Sequence, residues 1–324
     1  MRAAVLRGHH GAPEVEQWQP PETRPGEALI ELRAAPITPL DLLCASGTSY
    51  FGPPGLPYVP GVQGVGLVLS SSDVPAGTMA WFSTRAGMAP GDGSLRECCS
   101  LAEADVVPLA FDVKPELAAA LGLSAVAAWM ALTWRGEMQP GEQVIVLGAG
   151  GTVGQVAVQA ARLRGARRVI AGCRSPAAAE RARRCGADVV VRLDTDDVTE
   201  LARRFTDASD GPVDLVVDPL FGSPAAAALR TLRHYGRLVQ LGSAAGETAP
   251  IDSSTLRGRC LRVLGYTNNE LTAMQRADAL NAVLSYAGAG QLTVAFESVP
   301  LDGISQAWTR QARGEAPVRI VVTC

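Results

Sequence analysis

Short apolar runs broken by turn residues dominate the first third of the chain. Residues 3–6, 28–34 and 65–70 read as strands, separated by Pro20-Pro21, Gly52-Pro53-Pro54-Gly55 and Pro60-Gly61. The texture changes near Pro115, after which residues 116–131 form an Ala- and Leu-rich helical run interrupted by Gly122 and Ser124. From there strands and helices alternate. Val144-Ile145-Val146-Leu147 is a wholly apolar strand, and residues 153–163 repeat their apolar positions at three- and four-residue steps, as a helix does. Further strands are expected at 168–171, 189–191, 213–217 and 237–241. Helices are expected from Ser175-Pro176 to near Gly186, over 198–205, and over 225–232 after a second cap-plus-proline start at Ser223-Pro224. A last strand at 261–265 and a helix at 272–287 close this segment, and 293–299 and 318–322 read as strands again.

Apolar strands alternating with helices imply a parallel sheet covered on both faces, because parallel neighbours need a crossover that returns over the sheet. The fold class is therefore α/β: a strand-rich domain joined to a doubly wound parallel-sheet domain. With 324 residues there is chain enough for two cores, and the C-terminal strands can rejoin the first domain. A composition of 47% hydrophobic and 19% charged residues with a net charge of -3 excludes disorder and argues against a nucleic-acid surface. The expected partner is a small molecule. The first residues lack the apolar run of a secretory signal, and no apolar stretch of about eighteen residues is free of charge and turn signals. A cytoplasmic protein without a membrane partner is expected, its seven cysteines reduced.

Between the first strand and helix of the second domain lies Gly148-Ala149-Gly150-Gly151-Thr152-Val153-Gly154. It fits the dinucleotide fingerprint with Ala149 in place of the first glycine. Gly151 lets the backbone approach a pyrophosphate, Gly154 lets the helix pack close to the strand, and the helix start faces the anion. NAD-preferring sites place a carboxylate at the end of the next strand. Here Cys173-Arg174-Ser175 offers a guanidinium and a hydroxyl to a 2′-phosphate, so NADPH is the expected cofactor. Cys173 reads as a small wall residue.

Ala34-Ala35-Pro36-Ile37-Thr38-Pro39-Leu40-Asp41, Pro60-Gly61-Val62-Gln63-Gly64-Val65-Gly66, the glycine turn, and Asp214-Leu215-Val216-Val217-Asp218-Pro219 before Gly242-Ser243 together carry a family likeness. In them the chain resembles the medium-chain dehydrogenase/reductase superfamily, particularly its quinone oxidoreductase-like branch. The resemblance implies a GroES-like catalytic domain over 1–115 with 290–324 and an NADPH-binding Rossmann domain over 116–289. It also implies cofactor contacts from Pro219, Leu220 and Phe221 and, beside the nicotinamide, from Leu241, Gly242 and Ser243. Relatives pair through the edge of the Rossmann sheet, so an edge strand at 261–265 suggests a homodimer. Zinc-dependent members carry a Cys-His pair just before the residue like Asp41 and Gly-His-Glu where this chain has Gly61-Val62-Gln63. Thr38, Pro39, Val62 and Gln63 cannot supply a catalytic zinc shell, and His9, His10, Cys98, Cys99 and His234 match no metal spacing, so no metal is expected.

Hydride transfer to a quinone or an enone leaves negative charge on the substrate oxygen, which needs a donor. Tyr50, in the loop after Gly47, is the first candidate, with Thr38 and Tyr58 behind it; an aromatic lid is the plainer role for Tyr50. Asp41 reads as a helix cap and Gln63 as a loop anchor or a substrate contact. Tyr266 and Asn268 follow the last Rossmann strand and reach either the nicotinamide or a neighbouring subunit. The leading expectation is a zinc-independent NADPH-dependent reductase of quinones or α,β-unsaturated carbonyls, serving a biosynthetic step. The alternatives are a nucleotide-binding protein with a non-redox or sensing role, and an alcohol dehydrogenase.

Overall fold

The computed structural model describes Met1–Cys324. In one unit, Leu123–Val294, six parallel strands form a sheet in the order Val189–Arg192, Arg168–Cys173, Gln143–Leu147, Val213–Asp218, Leu232–Gln240, Arg262–Gly265. The Gln143–Leu147 strand is buried along its whole length, as its continuous apolar run requires. The strand order reverses beside it, and at such a reversal the carboxyl ends of the strands leave a crevice. Helices Thr152–Leu163, Pro176–Arg184, Val198–Ala208 and Gly222–Leu229 connect the strands, and Leu201, Phe205, Leu229, Ile145 and Ile170 lie in one core. Ser175 caps the second of these helices, its side chain accepting the Ala178 N–H, with proline at the first helical position.

The second cap-plus-proline signal misled. Ser223 caps nothing: the helix starts at Gly222 with Phe221 as its N-cap residue and no side-chain cap. It stops at Leu229, and the next strand begins at Leu232 rather than Arg237. A register shift against Val213–Asp218, with Tyr235 at φ 60°, absorbs the extra residues that made this stretch look helical.

The other unit comprises Met1–Gly122 and Ala295–Cys324. Its seven-stranded sheet runs Phe296–Pro300, Arg319–Thr323, Glu27–Pro36, Gln63–Ser70, Met79–Ser83, Val106–Pro108, with Cys98–Ala102 also on Glu27–Pro36. All pairs but the first are antiparallel. Glu27–Pro36 alternates buried and half-buried positions, and Ile30, Leu32 and Phe82 lie in its core. The molecule thus combines a GroES-like mixed sheet with a Rossmann-like parallel sheet. Strands Glu14–Gln17, Met79–Ser83, Cys98–Ala102 and Val106–Pro108 and helices Ser253–Arg259 and Ile304–Ala312 were not anticipated from the sequence pattern.

The helical run at Pro115 amends one expectation. Pro115–Arg135 is 21 residues long and apolar enough to cross a membrane by length and composition. Gly122 breaks it, at φ 32° and ψ -134°, and 61% of its most apolar window is buried inside the protein. A Cβ on Gly122 would stand 2.0 Å from Gln63 Oε1, so only glycine fits beside that buried amide.

Candidate functional site

At the carboxyl end of Gln143–Leu147 the backbone turns through Gly148 at φ 61° into helix Thr152–Leu163. A Cβ on Gly154 would come within 2.3 Å of the Gly148 carbonyl oxygen and 2.5 Å of the Ala149 Cα, which is the close helix-to-turn approach expected of this glycine. Gly151 is exposed, and a Cβ there would meet only Gly148 O at 3.4 Å, leaving its outer side open. It is the N-cap residue, and no side chain caps the helix. An uncapped start suits an anion, which can take the place of a capping oxygen. Ala149 is buried, donating its N–H to Gly172 O at 3.1 Å; Thr152 and Val153, in the first turn, are half-buried. Gly150 has a reason the sequence did not disclose: a Cβ would collide with Ala178 at 2.3 Å. The Gly150 carbonyl is held by Arg181 Nε at 3.0 Å.

Cys173 is buried, and loss of hydration raises its thiol, as befits a wall residue. Arg174 and Ser175 follow it, both exposed. The parallel ladder sets Arg192 opposite Cys173, and Arg192 Nη2 donates to the Arg174 carbonyl at 2.9 Å while its Nε is buried without a partner. The Arg192 guanidinium therefore lies at the backbone of the exposed Arg174, with Asp194 Oδ2 3.9 Å from its Nη2. Arg192 was missed because a lone arginine ending a predicted strand carries no signal of its own; the register of its neighbour supplies it.

Pro219, Leu220 and Phe221 form the turn after Val213–Asp218, and Leu241, Gly242 and Ser243 the segment after Leu232–Gln240. The two lie together. Ala245 N–H donates to Leu220 O at 2.8 Å, and a Cβ on Gly242 would stand 2.8 Å from Pro219 O. Leu220 also reaches the glycine turn, its Cδ2 3.1 Å from a Cβ built on Gly148. Tyr266 and Asn268 are tied to each other and to their own unit: Tyr266 Oη donates to Asn268 Oδ1 at 2.6 Å, and Asn268 Nδ2 to Leu123 O at 2.9 Å. Burial pushes the Tyr266 phenol well above its ordinary value, so it stays a proton donor.

In the other unit the candidate side chains part company. Thr38 is the N-cap of helix Pro39–Ala45, in a capping box with Asp41. Its hydroxyl donates to Asp41 Oδ2 at 2.6 Å and accepts the Asp41 N–H at 3.2 Å, so it is occupied. Asp41 Oδ1 accepts the Val62 N–H at 2.9 Å, pinning the helix start to the Gln63–Ser70 strand. Gln63 is buried and accepts Trp81 Nε1 at 3.1 Å. The Tyr58 hydroxyl is buried without a partner, and burial, with Asp41 and Cys44 nearby, pushes its proton loss far up. Tyr58 borders a cavity of about 570 Å³ that Trp18, Phe51, Met88 and Asp92 also line. Tyr50 alone of the three is accessible, at 76% exposure, with its ring 4.2 Å from that of Phe51.

No three His, Cys, Asp or Glu side chains converge as a metal shell. At the positions where zinc-dependent relatives coordinate the ion stand the capping Thr38, Pro39, the enclosed Val62 and the amide of Gln63, a donor set that does not fit zinc. The family described as zinc-binding dehydrogenase matches residues 152–300. An alcohol dehydrogenase of Geobacillus stearothermophilus is 26% identical over 352 aligned residues, covering 99% of each chain. The synaptic vesicle membrane protein VAT-1 homolog of Homo sapiens is 29% identical over 294 residues, 88% of this chain and 71% of that protein. Among solved structures, the quinone oxidoreductase from Thermus thermophilus, also known in complex with NADPH, is 29% identical over the full length of both chains, with a TM-score of 0.83. With two sheets of this topology, the glycine turn at the strand-order reversal and no zinc shell, the chain belongs to the medium-chain dehydrogenase/reductase superfamily, in its zinc-independent, quinone oxidoreductase-like branch.

Proposed function

We propose that the protein is an NADPH-dependent reductase of quinones or α,β-unsaturated carbonyl compounds. The observation that carries this reading is the Arg192 guanidinium set against the backbone of the exposed Arg174, in the unit that holds the open, uncapped glycine turn. The exposed outer side of Gly151 and the start of helix Thr152–Leu163 suit a pyrophosphate, and the two guanidinium groups with Ser175 suit a 2′-phosphate. Pro219, Leu220, Phe221, Leu241, Gly242 and Ser243 would flank the nicotinamide, with Tyr266 and Asn268 held behind them by their own hydrogen bond. When bound, NADPH supplies the hydride. Tyr50 is the proposed donor to the substrate oxygen, because the Thr38 hydroxyl is engaged with Asp41 and the Tyr58 hydroxyl is enclosed. Relatedness to a quinone oxidoreductase known with NADPH supports both the cofactor and the substrate class.

A second reading, a nucleotide-binding protein without redox turnover, draws on the same inward-turned Thr38 and Tyr58. Fluorescence titration with NADPH and NADH, followed by a quinone and the reduced-nicotinamide absorbance, separates the two. NADPH binding with quinone-dependent oxidation supports the reductase; binding without turnover of quinones or enones favours the binder; preference for NADH removes the role given to the two arginines. We also propose a homodimer through the edge strand Arg262–Gly265, where Val263 is exposed and Trp134, also exposed, packs edge-on to Tyr266. Sedimentation should give twice the monomer mass, reduced to one by Val263→Lys; a wild-type monomer would refute it.

A further inference from the structure

Asp218 ends the Val213–Asp218 strand with no exposed surface. Its Oδ1 accepts the N–H groups of Leu220 at 2.9 Å and Phe221 at 2.8 Å. Its Oδ2 is buried with no partner at all. An enclosed carboxylate oxygen without a donor is costly and persists where something else depends on the group. What depends on it here is visible in the next three residues. Phe221 stands at φ 57° and ψ -152°, a backbone region that side-chain-bearing residues rarely enter, and Gly222 follows at φ 63°. The two bonds to Asp218 fix the amides that lead into this conformation.

The same turn is the meeting point of the candidate cofactor segments. Leu220 lies against Gly148 of the glycine turn, Pro219 O against Gly242, and Leu220 O accepts the Ala245 N–H. The Asp218 carbonyl itself accepts the Leu241 N–H at 2.9 Å. A small displacement of this turn is therefore felt on both sides of the crevice.

We propose that Asp218 is the positioning residue of the cofactor cradle: its ionised carboxylate clamps the Leu220 and Phe221 amides and holds the turn of residues 219–222 in place, and protonation loosens the clamp. The inference rests on the NADPH reading above and adds a regulation to that site. A charged acceptor holds an N–H about twice as strongly as a neutral one. Loss of hydration raises this carboxyl to about 6, against the pull of the two amides, so the switch falls in a reachable range. No opposing charge intervenes. The Gln143–Leu147 strand and the glycine turn carry no charged residue. On Leu232–Gln240, Arg237 is paired with Glu142 and Arg233 with Asp214, toward the end away from the Gln240 that pairs with Asp218; His234 and Tyr235, both exposed, lie at that same end. Glu247, beyond the Leu241, Gly242 and Ser243 segment, is engaged by the Ser243 hydroxyl.

The test compares NADPH affinity of the wild type and Asp218→Asn between roughly pH 5 and pH 8. The cofactor's own phosphate titrates in this range in both proteins, so the difference between the curves isolates Asp218. Wild-type affinity is expected to fall about 10-fold more than that of Asp218→Asn as the pH drops through about 6. Superimposable curves would overturn the proposal. A second measurement needs neither variant nor cofactor: amide hydrogen exchange of Leu220 and Phe221 in the wild type, corrected for the intrinsic pH dependence. Protection should drop about 10-fold across the same interval, and constant protection overturns the clamp. If no NADPH binds at any pH, the cofactor reading fails while the exchange measurement still decides the clamp.

Discussion

The two units put their candidate chemistry on different supports. In Leu123–Val294 it sits largely on backbone: Gly154, Gly222 and Gly242 are placed by close packing and Gly151 is left open, while the side chains of Arg174, Arg192 and Asp218 act at its margins. In Met1–Gly122 with Ala295–Cys324 it rests on side chains, and two of the three proposed donors prove to be busy or enclosed. A backbone site is written in residue spacing, because glycine at a given step has few explanations. A side-chain site depends on which way a hydroxyl points, and spacing does not carry that.

Gly154→Val attacks the backbone site most directly. A Cβ already overlaps Gly148 O and the Ala149 Cα, so the helix must move away from the strand. Stability should fall by about 3 kcal/mol, with NADPH binding abolished, by thermal denaturation and fluorescence titration. An unaltered melting temperature would mean the turn is slack.

Asp218 gives the next largest effect. Its folded value, about 6, lies above the 3.8 of an unperturbed aspartate. Protonation therefore stabilises the fold as a whole by removing a buried charge, a contribution complete below pH 3.8 and lost as the pH rises through about 6, even as it weakens the two amide bonds within the folded turn. Between those limits the unfolding free energy of the wild type should change relative to Asp218→Asn by about 3 kcal/mol, favouring the wild type in acid, in urea titrations at several pH values. A difference independent of pH would show the carboxyl to be solvated.

Arg174→Ala combined with Arg192→Ala should weaken NADPH about 10- to 100-fold and leave NADH nearly unchanged. Equal losses for both cofactors would move the 2′-phosphate elsewhere. The smallest effects distinguish the proposed donors of the other unit. Tyr50→Phe should lower kcat with a quinone about 10-fold without changing the melting temperature. Thr38→Val should do the reverse, removing about 1 kcal/mol of stability as the capping box is lost. If the two results were exchanged, the assignment of Tyr50 and Thr38 would be exchanged with them.

The parallel sheet, its glycine turn and the Ser175-Pro176 helix start were legible because each has one physical cause with a fixed spacing. The strands of the mixed sheet were less so. Met79–Ser83 is buried at four of five positions and shows no alternation, and Cys98–Ala102, mostly small residues without a β-branched or aromatic side chain, does not stand out. Ile304–Ala312 starts without a side-chain cap, so the usual signal is missing. Ser223-Pro224 carried the right signal in the wrong place, since the turn is held from outside the helix by Asp218. Asp218 and Arg192 escaped notice as functional candidates because their weight comes from neighbours distant in sequence: the turn against Gly148 and Gly242 for one, the register with Cys173 for the other.

The two arginines also bear on how such a protein can change its diet. Arg174 is exposed, and Arg192 contacts it only through the Arg174 carbonyl, which any residue at that position would offer. The strands that place the two residues are paired by backbone and would survive their replacement. If the two arginines read the 2′-phosphate as proposed, cofactor taste is mounted on the scaffold like a label on a fixed frame. A lineage could exchange one nicotinamide pool for another by drifting at these two codons, with the glycine turn left as it is.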